Sequence, residues 1–256
     1  MTANPTGLDR FKALSALIGH VRAETYLEIG VEFGRVFLNI RAPRKIGVDP
    51  HNACLPKLLA RGVSWHDRSM VLGIRWNTLL GRERTYFFEM TSDEFFRRNS
   101  GLFARGQIDV ALVDGEHTCE QAYRDVQNCL RFLSPHGVIL MHDCRPVTAA
   151  HAVRAASLGE AQLINRRVPD WDGAWCGDVW KAIPRLRARP DLQVFVLDCD
   201  MGLGVVTRGA PENLLPLSGE ELDSLSFSDY EKNRDSLLNL KPESYFYDFL
   251  RAHPRR

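Results

Sequence analysis

Short apolar segments alternate with segments of helical periodicity along most of this chain. Parallel strands must be joined by a crossover, usually a helix, so the alternation favours a parallel α/β sheet. The predicted strands are 25–29, 45–49, 85–90, 108–113, 138–141, 192–197 and 202–207. Only four residues separate the last two, which predicts an antiparallel hairpin at the sheet edge. The sequence therefore predicts a doubly wound α/β sheet of seven strands, with the last strand antiparallel.

Helical segments connect these strands. The apolar residues of 7–22 recur every three or four positions, as in an amphipathic helix. Further helices are expected at 34–40, 93–99, 120–133 and 149–158. Residues 51–84 hold one proline and three glycines, which predicts short helices and loops, and one interpretation makes this segment a lid.

The C-terminal segment, 211–256, is charged but too apolar for a disordered tail. Its apolar residues include Leu237, Leu238, Phe246 and Phe249. We expect helices that pack on the preceding domain, 1–210, or on a second subunit. The sequence thus predicts one α/β domain with C-terminal helices, and these helices favour a homo-oligomer.

The charge balance and the cysteines exclude several classes of protein. There are 33 basic and 32 acidic side chains, so nothing favours nucleic acid or an anionic membrane as a partner. A run of about 18 apolar residues, as a membrane-spanning helix needs, is absent. The first residues lack a secretory apolar core, so a cytoplasmic protein is expected. Six cysteines without a C-x-x-C pair indicate reduced thiols.

A glycine turn and an acidic residue suggest a nucleoside site. Residues 28–34 have the pattern acid-x-Gly-x-x-x-Gly, and Asp49 ends the second predicted strand, where a carboxylate can accept both hydroxyls of a ribose. The glycine fingerprints that hold pyrophosphate are absent. A nucleoside cofactor without phosphates, S-adenosylmethionine, suits such a turn. The alternative is that Asp49 and Pro50 only initiate a turn.

Acidic and histidine side chains follow the fourth and fifth predicted strands. Asp114 and His117 follow one strand, and His142 and Asp143 follow the next. Neighbouring parallel strands lie about 4.8 Å apart, so Asp114 and Asp143 are expected to face one small volume. A divalent ion, Mg²⁺ or Mn²⁺, would relieve their repulsion and prefers oxygen ligands. His117 is then a candidate general base, whereas the simpler alternative makes Asp114 a helix cap.

These segments resemble the class I S-adenosylmethionine-dependent methyltransferases, which have a Rossmann-like fold. More narrowly, the chain is similar to a bacterial family with metal-dependent sugar O-methyltransferases of macrolide and aminocoumarin biosynthesis and cephalosporin-hydroxylase-like proteins. The matching stretches are 27–34, 47–50, 109–117 and 137–143, and residues 177–181 also resemble a segment of this family.

The resemblance implies roles for individual residues. On the cofactor side, Glu28, Gly30 and Gly34 line the methionine end, Asp49 holds the ribose, and Thr91 and Ser92 lie near the adenine; Asp114 also counts as a cofactor-binding residue. On the chemical side, the D-G-x-H spacing implies a metal on Asp114 and a general base in His117, so these two are the expected catalytic residues. The position of Asp143 and His142 after the next strand adds them as candidate metal ligands. Many relatives have an acid at the place of His142, so its ligand role departs from the family pattern.

The acceptor is expected to be a small molecule with a hydroxyl group, such as a sugar. Trp171 and Trp175 lie in a glycine-containing loop, where they either stack on a sugar face or simply pin the loop. The function predicted is metal-assisted O-methylation of a natural-product intermediate. Two alternatives stay open, a metal-independent methyltransferase that uses His117 and a non-catalytic scaffold protein of a biosynthetic pathway.

Overall fold

The computed structural model describes residues 7–51, 83–104, 107–169 and 171–255. The strands of these ranges are β1 (Thr25–Ile29), β2 (Arg44–Val48), β3 (Arg84–Phe88), β4 (Ile108–Val113), β5 (Leu133–Met141), β6 (Leu192–Leu197), β7 (Leu203–Arg208) and β8 (Leu240–Lys241). They form one sheet in the order β3-β2-β1-β4-β5-β7-β6-β8. The predicted lid at 51–84 falls almost wholly outside the described residues.

Eight α-helices lie in the described ranges. They are α1 (Arg10–Val21), α2 (Ser92–Asn99), α3 (Cys119–Phe132), α4 (Leu158–Asn165), α5 (Ala182–Arg187), α6 (Gly219–Ser224), α7 (Phe227–Leu238) and α8 (Tyr245–Ala252). Single 3₁₀ turns follow α2 and precede α5. Each of the first three helices begins at a side-chain cap, Asp9, Thr91 and Thr118 respectively, as polar residues at these positions favour. No described helix has the length and apolar character that a membrane span requires.

The sheet confirms the predicted doubly wound α/β fold. Strands β1 to β5 pair in parallel, and β7 pairs antiparallel with both β5 and β6. All seven predicted strands are present, and the seventh is the antiparallel one. The strand count was one too low, because β8 adds two residues beside β6. A strand that short carries no readable alternation, and it covers the edge where the hairpin was expected.

Two predicted helices are wrong. Residues 35–39 form turns instead of a helix, since Pro43 and the start of β2 follow too closely. The carbonyls of Phe37 and Ile40 accept hydrogen bonds from the buried Lys45 ammonium rather than from a further helical turn.

The segment 149–158 is also irregular, and the helix begins only at Leu158. Its carbonyls are bonded to other parts of the chain. Asn165 donates to the carbonyl of Ala150, the amide of Cys176 to that of His151, and the Trp175 indole to that of Val153. These bonds replace the i to i+4 ladder that the periodicity suggested.

Apolar residues fill both faces of the sheet. On one face α2, α3, α5 and α7 pack over the sheet, and on the other face α1, the 31–42 segment and α8 do so. Leu237, Leu238, Phe246 and Phe249 of the C-terminal segment belong to these cores, with Leu238 and Phe246 fully buried. Because they are buried within the monomer, they no longer support self-association, and the homo-oligomer stays a prediction.

Candidate active site

The carboxyl ends of β1, β4 and β5 place the predicted site residues side by side. Ile29, Val113 and Met141 end these strands in register. The ladder continues one residue further, since the Asp114 amide donates to the Ile29 carbonyl and the His142 amide to the Val113 carbonyl. The turns after the three strands therefore share one edge of the sheet.

The turn after β1 is pressed against the turn after β4. Gly30 has a positive φ of +85°, and a Cβ added there would lie 2.0 Å from the Asp114 carbonyl oxygen. Any side chain is excluded at this contact, which explains the first glycine of the pattern. The two turns that carry the predicted cofactor and chemical residues are thus in backbone contact.

Asp49 is buried at the end of β2 and held by backbone amides. One carboxylate oxygen accepts the amide of Glu32 at 2.7 Å, and the other accepts the amide of His51 at 2.7 Å. A carboxylate offers about four acceptor positions, and donors within the described residues fill two of them, which leaves two for hydroxyl donors. The geometry suits the predicted contact with a ribose.

Glu28 lies in β1, just before the glycine turn, where it is buried and accepts a hydrogen bond from the Tyr26 hydroxyl. Burial raises the pKa of Glu28 to about 8, although the bond from Tyr26 acts in the opposite direction. The side chain is therefore mostly neutral at pH 7 and can donate as well as accept. It adds little charge at the end of β1.

Thr91 and Ser92 begin α2, at the predicted adenine side. Thr91 is the helix cap, and its hydroxyl accepts the amide of Glu94 at 3.3 Å. Ser92 is buried and bonded to Gln121 and Asp125 of α3. Both hydroxyls thus have structural partners, and their contact with adenine stays a prediction.

Three side chains form a candidate metal cluster. Asp114, His117 and Asp143 each offer one ligand atom, and these atoms lie within 4.8 Å of one another. The His117 Nε2 is 3.3 Å from Asp143 and 3.9 Å from Asp114. The predicted convergence of two carboxylates is present, with His117 between them.

The orientation of His117 is set by its other nitrogen. Its Nδ1 lies 2.9 Å from the carbonyl oxygen of Trp175. A carbonyl can only accept, so Nδ1 carries a hydrogen, and in the neutral ring Nε2 keeps its lone pair. That lone pair is directed towards the carboxylates, as a metal ligand or a general base requires.

His142 lies beside this cluster and behaves as a counter-cation. Its Nδ1 is 3.0 Å from Asp143 and 3.3 Å from Asp114. No described residue meets either ring nitrogen in hydrogen-bonding geometry, so these are charge contacts. Burial opposes a charged ring, but the two carboxylates outweigh it and raise the pKa of His142 well above its usual value. A protonated ring must lose its proton before it ligates a metal.

Arg10 and Asp200 belong to the site, and the sequence interpretation missed both. The Arg10 Nη1 donates to Asp114 at 2.6 Å, and its Nε donates to Asp200 at 3.0 Å. Asp200 also lies 3.6 Å from the His142 Nε2. Burial disfavours the charged carboxylate, but His142 and Arg10 hold the pKa of Asp114 below its usual range.

A topological signal could have located both residues. Helix α1 ends three residues before β1, so its first residue lies about 18 Å away, over the carboxyl edge. Strand β6 runs in the same direction as β5, so the turn after β6 also lies at this edge. Charged residues at the start of α1 and in the turn after β6 are therefore expected to lie near Asp114 and Asp143.

The site lies within a segment that matches a known family. Residues 27–144 match the family described as a methyltransferase domain. No curated protein matches the chain. Four of the predicted site residues, Gly30, Asp49, Asp114 and His142, directly follow a strand of this segment.

Solved structures share the fold at low sequence identity. One from Staphylococcus aureus, described as a caffeoyl-CoA O-methyltransferase, is 14% identical, with 79% of this chain and 85% of that chain covered and a TM-score of 0.50. The O-methyltransferase TomG from Streptomyces achromogenes, in complex with S-adenosylmethionine, is 12% identical, with 77% and 79% covered and a TM-score of 0.47. An O-methyltransferase from Bacillus cereus is 12% identical, with 79% and 82% covered and a TM-score of 0.45.

The family match covers the glycine turn, Asp49 and both cluster carboxylates. The strand order continues the same fold on either side of the matched segment. Residues 27–144 of this chain therefore match a methyltransferase domain, and the sheet around them has a Rossmann-like fold.

Proposed function

We propose that this protein transfers the methyl group of S-adenosylmethionine to a hydroxyl group of a small acceptor, with the help of a divalent metal ion. The acceptor class we propose is a sugar or another hydroxylated natural-product intermediate. One observation carries the proposal: Asp114, His117 and Asp143 converge beside the glycine turn and Asp49.

The first half of the edge fits the cofactor. The described residues fill two of the four acceptor positions of Asp49, and the other two suit the two ribose hydroxyls. The turn from Gly30 to Gly34 has no phosphate-binding pattern, which suits a nucleoside that carries no phosphate. Glu28, being neutral, would line the methionine end without repelling its carboxylate. These features support S-adenosylmethionine over a dinucleotide.

The second half fits a divalent cation. Two carboxylates and an imidazole with a directed lone pair would hold it, a donor set that suits Mn²⁺ and, with retained water, Mg²⁺. When bound, such an ion supplies positive charge that lowers the pKa of a hydroxyl group. The Nδ1 bond of His117 to a backbone carbonyl is the usual second contact of a metal-binding histidine.

Methyl transfer itself is a direct displacement. The acceptor oxygen forms a bond to the methyl carbon as the bond from that carbon to the sulfonium breaks. The hydroxyl proton must leave, and the His117 Nε2 lone pair faces the reaction volume. One lone pair cannot bind a metal and take a proton at once, so His117 serves as base where Asp114, Asp143 and water hold the metal. The remaining product of the cofactor is neutral S-adenosylhomocysteine.

A metal-independent reaction is the second candidate, and one contact favours it. Arg10 is already paired with Asp114 at 2.6 Å, and His142 lies against both carboxylates. The cluster is therefore charge-compensated by the chain's own cations. In this version His117 acts as base without a metal.

The test begins with binding of S-adenosylhomocysteine, measured by calorimetry with and without Mg²⁺ or Mn²⁺. Binding in the low micromolar range supports the cofactor assignment, and no binding in either condition favours a scaffold protein. Turnover is then followed as production of S-adenosylhomocysteine with a panel of sugars and other hydroxylated compounds. Loss of activity on addition of a chelator supports the metal, and unchanged activity supports the second candidate.

We also propose a cytoplasmic location. The five cysteines among the described residues are free and buried, and thiols persist in a reducing compartment. Fractionation of cells of the source organism would test this, and recovery of the protein outside the cytoplasm would contradict it.

A further inference from the structure

A four-residue turn, Trp175 to Asp178, lies against the candidate metal cluster. It comes from the long connection between β5 and β6 and packs on the first turn of α3. The proposed reaction assigns it no role. Each of its residues nevertheless contacts His117, Asp143 or the start of α3.

Trp175 holds the ring of His117. Its carbonyl oxygen accepts the His117 Nδ1–H at 2.9 Å, and the two rings lie 4.8 Å apart between centroids. The Trp175 indole nitrogen donates to the Val153 carbonyl at 2.7 Å, which anchors the turn to the preceding segment. The imidazole is thus held by one hydrogen bond and one ring contact from the same residue.

Cys176 places a thiol beside Asp143. It is fully buried, and its amide donates to the His151 carbonyl at 2.9 Å. The Cys176 thiol has a side-chain hydrogen bond with the Asp143 carboxylate, to which an S–H can only donate. The turn therefore contacts a second member of the cluster.

Gly177 and Asp178 fix the backbone of His117. Gly177 has a φ of +62°, and a Cβ there would lie 1.9 Å from the His117 carbonyl oxygen. The Asp178 amide donates to that same oxygen at 3.3 Å. The Asp178 carboxylate accepts the amide of Cys119 at 2.7 Å and so caps α3. The turn and the helix start are locked together around His117.

We propose that the turn Trp175–Asp178 is a positioning element that fixes His117 as the Nδ1-protonated tautomer, with Nε2 turned towards Asp114 and Asp143. Without the Trp175 carbonyl, the carboxylates near Nε2 would favour the opposite, Nε2-protonated tautomer of His117. The inference deepens the proposed function, because the metal or the acceptor proton needs the Nε2 lone pair. The tautomer of His117 is a property of the protein without ligands and can be measured in that state.

The first test is nitrogen NMR of the histidine side chains in the free protein at alkaline pH. His117, identified by the His117→Gln variant, is expected to show a protonated Nδ1 and an unprotonated Nε2. Gly177→Ala, which drives a methyl group into the His117 carbonyl, is expected to convert this signature into a tautomer mixture. Gly173→Ala is the matched control, since Gly173 also has a positive φ of +85° but has open space around it.

The result that overturns the proposal is an Nε2-protonated His117 in the wild type, or an unchanged signature in folded Gly177→Ala. If that variant does not fold, Cys176→Ala replaces it, with Cys129→Ala as a control that also removes a buried thiol. Cys176→Ala is expected to lower the affinity for Mn²⁺ about tenfold, the scale of second contacts at metal sites, and Cys129→Ala to leave it unchanged. Equal Mn²⁺ affinity in both variants would contradict the role of Cys176.

Binding of S-adenosylhomocysteine separates this inference from the proposed function. Gly177→Ala and Cys176→Ala are expected to bind it as the wild type does, because neither residue touches the glycine turn or Asp49. If the wild-type protein binds no Mn²⁺, the metal-assisted reaction is contradicted. The role of the turn Trp175–Asp178 is still tested by the tautomer of His117.

Discussion

The carboxylates on the two sides of the carboxyl edge are stabilised in different ways. On the β2 side, Asp49 is held by two backbone amides. On the β4 and β5 side, Asp114 and Asp143 are compensated by side-chain cations, with Arg10 and His142 as the nearest. The β2 side thus stabilises its carboxylate with backbone amide dipoles, and the β4 and β5 side uses charged side chains.

This difference indicates what each side can bind. Backbone amides cannot leave, so Asp49 keeps a constant geometry for neutral hydroxyl donors. A guanidinium on a flexible stem can be displaced by another cation, so the second side can exchange its charge. The same edge therefore combines a fixed site for a nucleoside with an exchangeable site for a cation.

The largest effect is expected from Asp143→Asn, which removes a carboxylate from the β4 and β5 side and leaves Asp49 on the β2 side unchanged. Removing one carboxylate from the cluster is expected to reduce metal-stimulated turnover about 1,000-fold, because charge stabilisation by a metal contributes several kcal/mol. Affinity for S-adenosylhomocysteine, measured by calorimetry, should stay within about twofold. An equal loss of cofactor binding would count against the division into two sides.

A third kind of carboxyl group sharpens the comparison. Asp125 is buried under Ser92, and burial raises its pKa to about 7 despite the hydrogen bonds from Ser92 and Gln121. The folded protein then binds a proton that the unfolded chain releases above about pH 4, so stability falls as pH rises to about 7 and is constant beyond.

Asp125→Asn removes this titration. Relative to the wild type, the free energy of unfolding of the variant is expected to rise by about 4 kcal/mol between about pH 4 and pH 8. Urea unfolding at several pH values measures it, with the exposed Asp235→Asn as control. Parallel pH profiles for Asp125→Asn and the wild type would show that Asp125 is ionised in the fold.

Asp49→Ala tests the first side. It removes the acceptor for the ribose hydroxyls and is expected to weaken binding of S-adenosylhomocysteine about 10- to 100-fold, since hydrogen bonds to a charged group contribute about 1.5–3 kcal/mol. Affinity for Mn²⁺ should not change. Calorimetry with each ligand in turn gives both numbers, and a loss of Mn²⁺ binding would show that the sides are coupled.

Arg10→Ala gives the smallest expected effect and tests the exchangeable charge. Without the guanidinium, Asp114 is free for another cation, and affinity for Mn²⁺ is expected to rise about tenfold, near the scale of a partly buried ion pair. Arg10→Lys, which retains the charge, is the matched control and should show a smaller rise. Weaker Mn²⁺ binding in Arg10→Ala would mean that Arg10 supports the metal site rather than competing with it.

The sequence was sufficient for the sheet and for the convergence of Asp114 with Asp143. Both follow from strand periodicity and from the rule that parallel strands end at one edge. It was insufficient for segments 34–40 and 149–158, where long-range hydrogen bonds to Lys45, Asn165 and Trp175 outweigh local helix propensity. Such bonds join residues that no local pattern connects.

The remaining site residues were missed for a related reason. Arg10 and Asp200 come from the two ends of the domain, 190 positions apart, and they meet only in the folded chain. The tautomer of His117 depends on a carbonyl 58 positions away, and a backbone carbonyl is the same in every residue. Side-chain type alone could not have indicated it.

The contact between Gly30 and the Asp114 carbonyl has a consequence for how such a protein diversifies. The relative position of the two turns is set by main chain against main chain, with no side chain between them. Methyl donor and attacking group would therefore be aligned by a frame that is insensitive to substitution elsewhere. A substitution in a loop outside these two turns is then expected to leave their alignment unchanged.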